Sequence, residues 1–203
     1  MPLAIDNRFE RVVRGTLAKL LLPKNFQQVG DQFYQQSGGI GKLITLRREI
    51  IHPPHYQVVV FTITVKIVSE ELWAITNPDI QPPDFPFHTH YPYEVNRSLG
   101  KFFGKRRGDQ WLVLDLLQPE GNMIRYLRNL LLTKILPFLD GINTIDHILD
   151  QHGRPSMSYV RVLAQLGRTD EAKKELAALL ASHHHRRFRI AVLGLAKQLG
   201  LVH

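Results

Sequence analysis

The chain has 203 residues, 44% of them apolar and 22% charged, with 26 Lys and Arg against 18 Asp and Glu and a formal net charge of +8. Such proportions describe an ordinary globular protein, with one large domain or one domain and an appendage, and a basic excess that serves solubility or attracts nucleic acid, an anionic membrane or an acidic partner. The absence of cysteine excludes disulfides, thiol catalysis and thiolate metal sites, and no apolar run reaches the roughly 20 residues of a membrane-spanning helix.

The start, MPLAIDNRFERVV, lacks the charged-then-apolar order of a secretory signal, which points to a cytoplasmic protein. The first element is a helix over about Asn7–Leu22. Phe9, Val12, Val13, Leu17, Leu20 and Leu21 recur at spacings of three and four, Asp6 stands at the N-cap position, and Pro23 ends the run. Gln32–Gln36 and Lys42–Arg48 flank Ser37-Gly38-Gly39-Ile40-Gly41 and predict a β-hairpin. Tyr56–Val68 is the strongest strand, rich in β-branched residues. Its residues Val59, Phe61, Ile63, Val65 and Ile67 form one core face.

Asn77–Pro92 is a proline-rich loop. Tyr93–Phe103 and Trp111–Leu117 read as a second hairpin across the Gly104–Asp109 turn. After Pro119 the pattern is helical to the end. Met123, Ile124, Leu127, Leu130, Leu131 and Ile135 share a face, with Pro137 as a stop. Shorter helices are predicted over Thr144–Gln151, before Gly167, over Asp170–Ser182 and over Arg187–Leu199. Helix, then strands, then helices is an α+β order. We expect an antiparallel sheet of about four or five strands packed with an N-terminal helix, followed by a C-terminal helical segment. Residues 1–152 would form the α+β domain, and residues 153–203 a helical segment packed on it.

Helix 1 runs into KNFQQVGDQFYQQSGGIGKLITLRRE. Phe26, Gly30 and Phe33-Tyr34 at these spacings, with the later Trp111 strand, resemble a bacterial family known as Domain of Unknown Function 4304. The resemblance covers residues 5–150. Members commonly have glycine before the phenylalanine, where this chain has Asn25. No activity or functional residue is implied by this family. In the tail, Leu166-Gly167-Arg168-Thr169-Asp170-Glu171-Ala172 resembles the turn of a tetratricopeptide repeat, which implies a helical hairpin used for binding. Only one such turn is present, whereas stable arrays need about three repeats.

Candidate chemistry is sparse. His52 and His55, with His88 and His90, are candidate metal ligands if the two loops meet: His88 and His90 face the same way in extended chain and Asp84 or Glu94 completes the set, although the spacings match zinc patterns only loosely. Histidine is equally well tolerated in such loops as a plain polar residue. His184, Arg186, Arg187 and Arg189 form a basic patch suited to binding phosphates or an acidic surface; the plainer alternative is a solvated turn between helices. Residues 151–203 carry nine Lys and Arg against three Asp and Glu, so most of the basic excess lies there. Lys105-Arg106-Arg107 forms a charged turn, and Asp115 interrupts an apolar strand. No phosphate loop, nucleophile elbow or His-Glu-x-x-His motif occurs.

These features describe a cytoplasmic protein–protein interaction module without catalytic activity or cofactor, whose partner is another protein of acidic character. Two alternatives stand beside it: a nucleic-acid-associated protein using the basic C-terminal helices, and a small metal-dependent hydrolase using the histidine loops.

Overall fold

The computed structural model describes residues 4–51, 58–81, 95–104, 110–151, 156–182 and 185–202. The chain divides into two units, Met1–Ser69 with Asp84–Ile148 and Glu70–Pro83 with Leu149–His203.

The first unit opens with helices α1 (Ala4–Phe9) and α2 (Gly15–Leu21), joined by a π-helical turn over Glu10–Arg14. Ile5, Phe9, Val12, Val13, Leu17 and Leu21 are fully buried. The π turn inserts an extra residue and rotates the apolar stripe, so Leu21 points inward while Leu20 is only half-buried. Asp6 is not the N-cap, because the helix already runs at Ala4. Its carboxylate instead accepts a hydrogen bond from Arg48 Nη1 at 3.1 Å. Pro23 does end the α-helix, within a 3₁₀ turn over Leu22–Lys24, and Asn25 closes that turn at φ 64°.

Among the described residues six strands follow: β1 (Gln27–Val29), β2 (Gln32–Ser37), β3 (Ile40–Ile51), β4 (Val58–Ser69), β5 (Val95–Ser98) and β6 (Leu112–Asp115). They form one antiparallel sheet in the order β1-β2-β3-β4-β5, with β6 also on β4. The expected β2–β3 hairpin is present. Gly38 and Gly39, at φ 57° and 73°, supply the two positive angles that its two-residue turn requires. The second hairpin is not. β5 pairs with Thr64–Ile67 of β4 and β6 with Val58–Phe61, so the two short strands share one edge of β4 in succession. Within the expected Tyr93–Phe103 strand, the chain leaves the sheet after Ser98 and turns into the short helix α4 (Leu99–Phe102).

Strand alternation gives the sheet two unlike faces. One carries Val59, Phe61, Ile63, Val65 and Ile67 of β4 beside Ile44 and Leu46 of β3 and Phe33 of β2, all buried. Phe9 of α1 meets Phe61 edge-on, with ring centroids 5.5 Å apart and planes at 82°. Arg48, on the same face, stacks over Phe9 at 4.7 Å and faces Asp6, Glu10 and Asp31. Arg14 also pairs with Glu10 and, at 2.5 Å, with Asp31. Two arginines and three carboxylates thereby tie the helix to the sheet.

The helical run after Pro119 comprises α5 (Glu120–Leu130), a π turn over Leu131–Ile135 and α6 (Leu136–Asp140). Pro137 does not stop it. The π turn bonds Leu136 N–H to the carbonyl of Leu131, and the proline follows it in the first turn of α6. Leu127, Leu130, Leu131 and Ile135 are buried, while Ile124 at the start of the stripe is 37% exposed. Lys42 of β3 donates from Nζ to the carbonyl of Leu139 at 2.7 Å and to Asn143 Oδ1 at 2.8 Å, capping the C-terminal end of α6. The helix expected over Thr144–Gln151 is shorter, α7 (Ile145–Leu149).

The second unit holds α3 (Glu70–Thr76), which periodicity did not reveal, with α8 (Met157–Gln165), α9 (Thr169–Ser182) and α10 (Arg186–Gln198). α3 packs on α8, α8 pairs with α9, and α10 touches both. Ser156 caps α8 by accepting from Tyr159 N–H at 3.1 Å. Gly167 at φ 75° allows Arg168 N–H to reach the carbonyl of Leu163 at 2.9 Å, which closes the C-terminus of α8. Arg168 then grips Glu171 with two bonds, of 2.7 and 2.6 Å, at the start of α9. The hairpin expected around Gly167 is therefore present.

Candidate functional site

The basic patch read from the tail falls at the start of α10. Arg186, Arg187 and Arg189 are exposed. Arg189 is partly structural: its Nη1 donates to the carbonyl of Leu180 at 3.1 Å and so covers an open end of α9. Arg186 and Arg187 have no ion-pair partner among the described residues. At about 100° per residue, Arg186, Ile190, Leu193 and Lys197 fall within an arc of roughly 60° on α10. Ile190 is 60% exposed and Leu193 46%, whereas Val192, Leu195 and Ala196 on the opposite side are buried. α10 thus presents an apolar row bracketed by cations. The residue types of that row were visible in the sequence, but its direction followed only from which face was buried. His184 lies outside the described residues.

The metal hypothesis rests on His52, His55, His88 and His90, which also lie outside the described residues, as do Asp84, Glu94 and Lys105–Arg107. Among the described residues no group of three His, Asp or Glu is placed to hold a metal ion. Asp115 is a turn residue. Its Oδ1 accepts from Leu117 N–H at 2.8 Å and Gln118 N–H at 2.7 Å where β6 ends.

Sequence reasoning missed a second feature, on the other face of the sheet. Across β3, β4 and β5, Thr45, Thr64 and Ser98 stand in register as one row. Arg47 stands one row away in one direction. Lys66 and Asn96 stand one row away in the other. Lys101 of α4 is held over that end, its Nζ donating to the carbonyl of Asn96 at 3.2 Å. These side chains line a cavity of about 460 Å³ with no carboxylate among the described residues of its wall. The nearest carboxylate of β3 on this face is Glu49, one row beyond Arg47. The Arg47 guanidinium lies 5.0 Å from the ring of Trp111. Burial pushes the Lys66 ammonium below the ordinary lysine pKa. Thr45 Oγ1, in the wall, and Thr62 Oγ1, beside Arg47 in the register, are buried without a hydrogen-bond partner among the described residues. The signal in the sequence was the alternation of Arg47, Thr45, Thr64 and Lys66 with apolar residues, which marks the side of the sheet that faces away from the Phe61 core.

Comparison with protein-family models, with curated proteins and with solved structures finds no match. Among the described residues no helix is long and apolar enough to cross a membrane.

Proposed function

We propose that this protein is a non-catalytic binding module that engages an acidic protein partner through the outward face of α10. The observation that carries the proposal is the row Arg186, Ile190, Leu193 and Lys197, apolar at its centre and cationic at its ends. A partner helix with two or three apolar side chains flanked by carboxylates complements it, because apolar burial supplies affinity while the charges supply steering and register. The helical hairpin of α8 and α9 carries α10, in the manner of a tetratricopeptide-like support. We place the protein in the cytoplasm. We also group residues 5–150 with the bacterial Domain of Unknown Function 4304 on the strength of their motif, in which Asn25 adopts the left-handed conformation natural to glycine.

The test uses the full chain as bait, followed by titration of the purified captured protein. Ile190→Ala with Leu193→Ala should abolish capture. Arg186→Gln with Arg187→Gln should slow association and flatten its salt dependence, at about 0.2–1 kcal/mol per exposed charge. If both double variants bind the partner as the parent does, α10 is not the interface. If capture is destroyed by nuclease and insensitive to the Ile190 and Leu193 changes, the bound species is nucleic acid and the protein-partner proposal fails.

A further inference from the structure

We infer that the cavity on the face of the sheet away from Phe61 is a binding site for an organic phosphate carrying two or more anionic groups, of the class of a nucleoside di- or triphosphate. This site is separate from α10 and does not depend on it. Its cations form two poles. Lys66 and Lys101 stand at one end, beside Asn96, and Arg47 stands at the other. Rows on one face of a strand are about 7 Å apart, so the backbones of Arg47 and Lys66 are separated by roughly 14 Å along the strands. Both side chains are long enough to lean inward over the row between them. That row supplies hydroxyls from Thr45, Thr64 and Ser98, donors that suit phosphate oxygens or the hydroxyls of a sugar. A single small anion can satisfy only one pole. An elongated polyanion can satisfy both.

Size and composition point the same way. About 460 Å³ lies within the usual range for small-molecule sites. The described wall carries three cations and three hydroxyls, with Leu46 as its one apolar residue, which disfavours a wholly apolar ligand. The buried Thr45 hydroxyl has no partner among the described residues, and a buried polar group left unpaired is costly unless a ligand or water completes it. Arginine suits planar, bidentate contact with phosphate, while lysine supplies point charge.

The experiment is a calorimetric titration of the full chain with ATP, ADP, tripolyphosphate and inorganic phosphate, without divalent metal and at low salt. In parallel, fluorescence of Trp111 is followed in a Trp73→Phe background. ATP and tripolyphosphate should bind saturably, at least tenfold more tightly than inorganic phosphate, and should perturb Trp111 through Arg47. Arg47 and Lys101 are exposed, so Arg47→Gln with Lys101→Gln should leave the thermal melt unchanged while weakening ATP at least tenfold. Tighter binding of ATP than of tripolyphosphate would assign part of the site to the nucleoside; equal binding would assign it to the phosphate chain alone. The proposal is overturned if neither polyphosphate saturates, if inorganic phosphate binds as well as they do, or if the double variant binds unchanged. It is equally overturned if only a single-stranded oligonucleotide binds in a manner sensitive to Arg47 and Lys101. Arg186→Gln with Arg187→Gln should leave all four titrations untouched, which keeps this site and the α10 proposal separately testable.

Discussion

Phe61 and Asn25 show two ways in which one residue fixes this fold. Phe61 was legible as core from alternation alone, and it is fully buried against Phe9. Phe61→Ala should lower the free energy of unfolding by about 3–5 kcal/mol in a denaturant titration. A loss below about 1 kcal/mol would mean that this face is not the core. Asn25 is the one described non-glycine residue at positive φ. Asparagine tolerates that region better than most side chains, and glycine tolerates it freely. Asn25→Gly should therefore be close to neutral, whereas Asn25→Val should cost about 1–2 kcal/mol, read from the shift in thermal midpoint. Equal melts for the two variants would show that the turn relaxes out of the left-handed region. Arg48, by contrast, could not be assigned from sequence. Nothing in a strand pattern says that its guanidinium will lie over Phe9 among Asp6, Glu10 and Asp31, because those partners come from two other segments.

Among the elements, those with a long and regular pattern were readable and those set by tertiary pairing were not. The long strands β3 and β4 and the hairpin between β2 and β3 follow from alternation and a Gly-Gly turn. β5 and β6 are four residues each, and their pairing along one edge of β4 is decided by the sheet and not by their own residues. Pro137 was misleading because a π turn can absorb a proline that an α-helix would reject. The junction of β3 with α6 gives a test at this scale. Lys42→Met would leave the Leu139 carbonyl with only its Ile142 N–H donor, at 3.2 Å, and the Asn143 Oδ1 without its Lys42 donor, and should cost about 1–3 kcal/mol at neutral pH. Burial holds the Lys42 ammonium below the ordinary lysine pKa, with the Asp140 carboxylate opposing the shift. The unfolded chain therefore binds more protons between the folded value and about 10.4, and the Lys42 contribution must rise with pH through that alkaline window. Denaturant titrations of parent and variant at pH 8 and pH 10 should show the gap between them widening. A gap that narrows would reverse the sign of the shift.

For the whole molecule, the α+β class was legible because helix, strands and helices follow one another in that order. The partition of the chain was not. α3 lies between two strands of the first unit in sequence, yet it packs on α8 of the second. Its seven residues are too few to show a helical period clearly, and its partner is about 80 positions away. Leu72 of α3 is fully buried. Leu72→Ala should destabilise the second unit by about 2–5 kcal/mol and speed hydrogen exchange in α8, with β3 and β4 less affected. A peptide of residues 149–203 lacks α3 and should show little cooperative melting; a sharp transition would mean that α8, α9 and α10 suffice by themselves.

The same detour of the chain imposes an order in time. A nascent chain emerges at roughly 5–20 residues per second, so α3 leaves the ribosome several seconds before the helix it will pack against exists. During that interval α3 lacks the helix it packs on, and the first unit cannot finish its sheet until β5 and β6 have also emerged. The second unit is thus assembled from its earliest and its latest pieces. A ribosome stalled so that residue 148 has just cleared its exit tunnel would hold a chain with every strand of the sheet available and α3 still waiting.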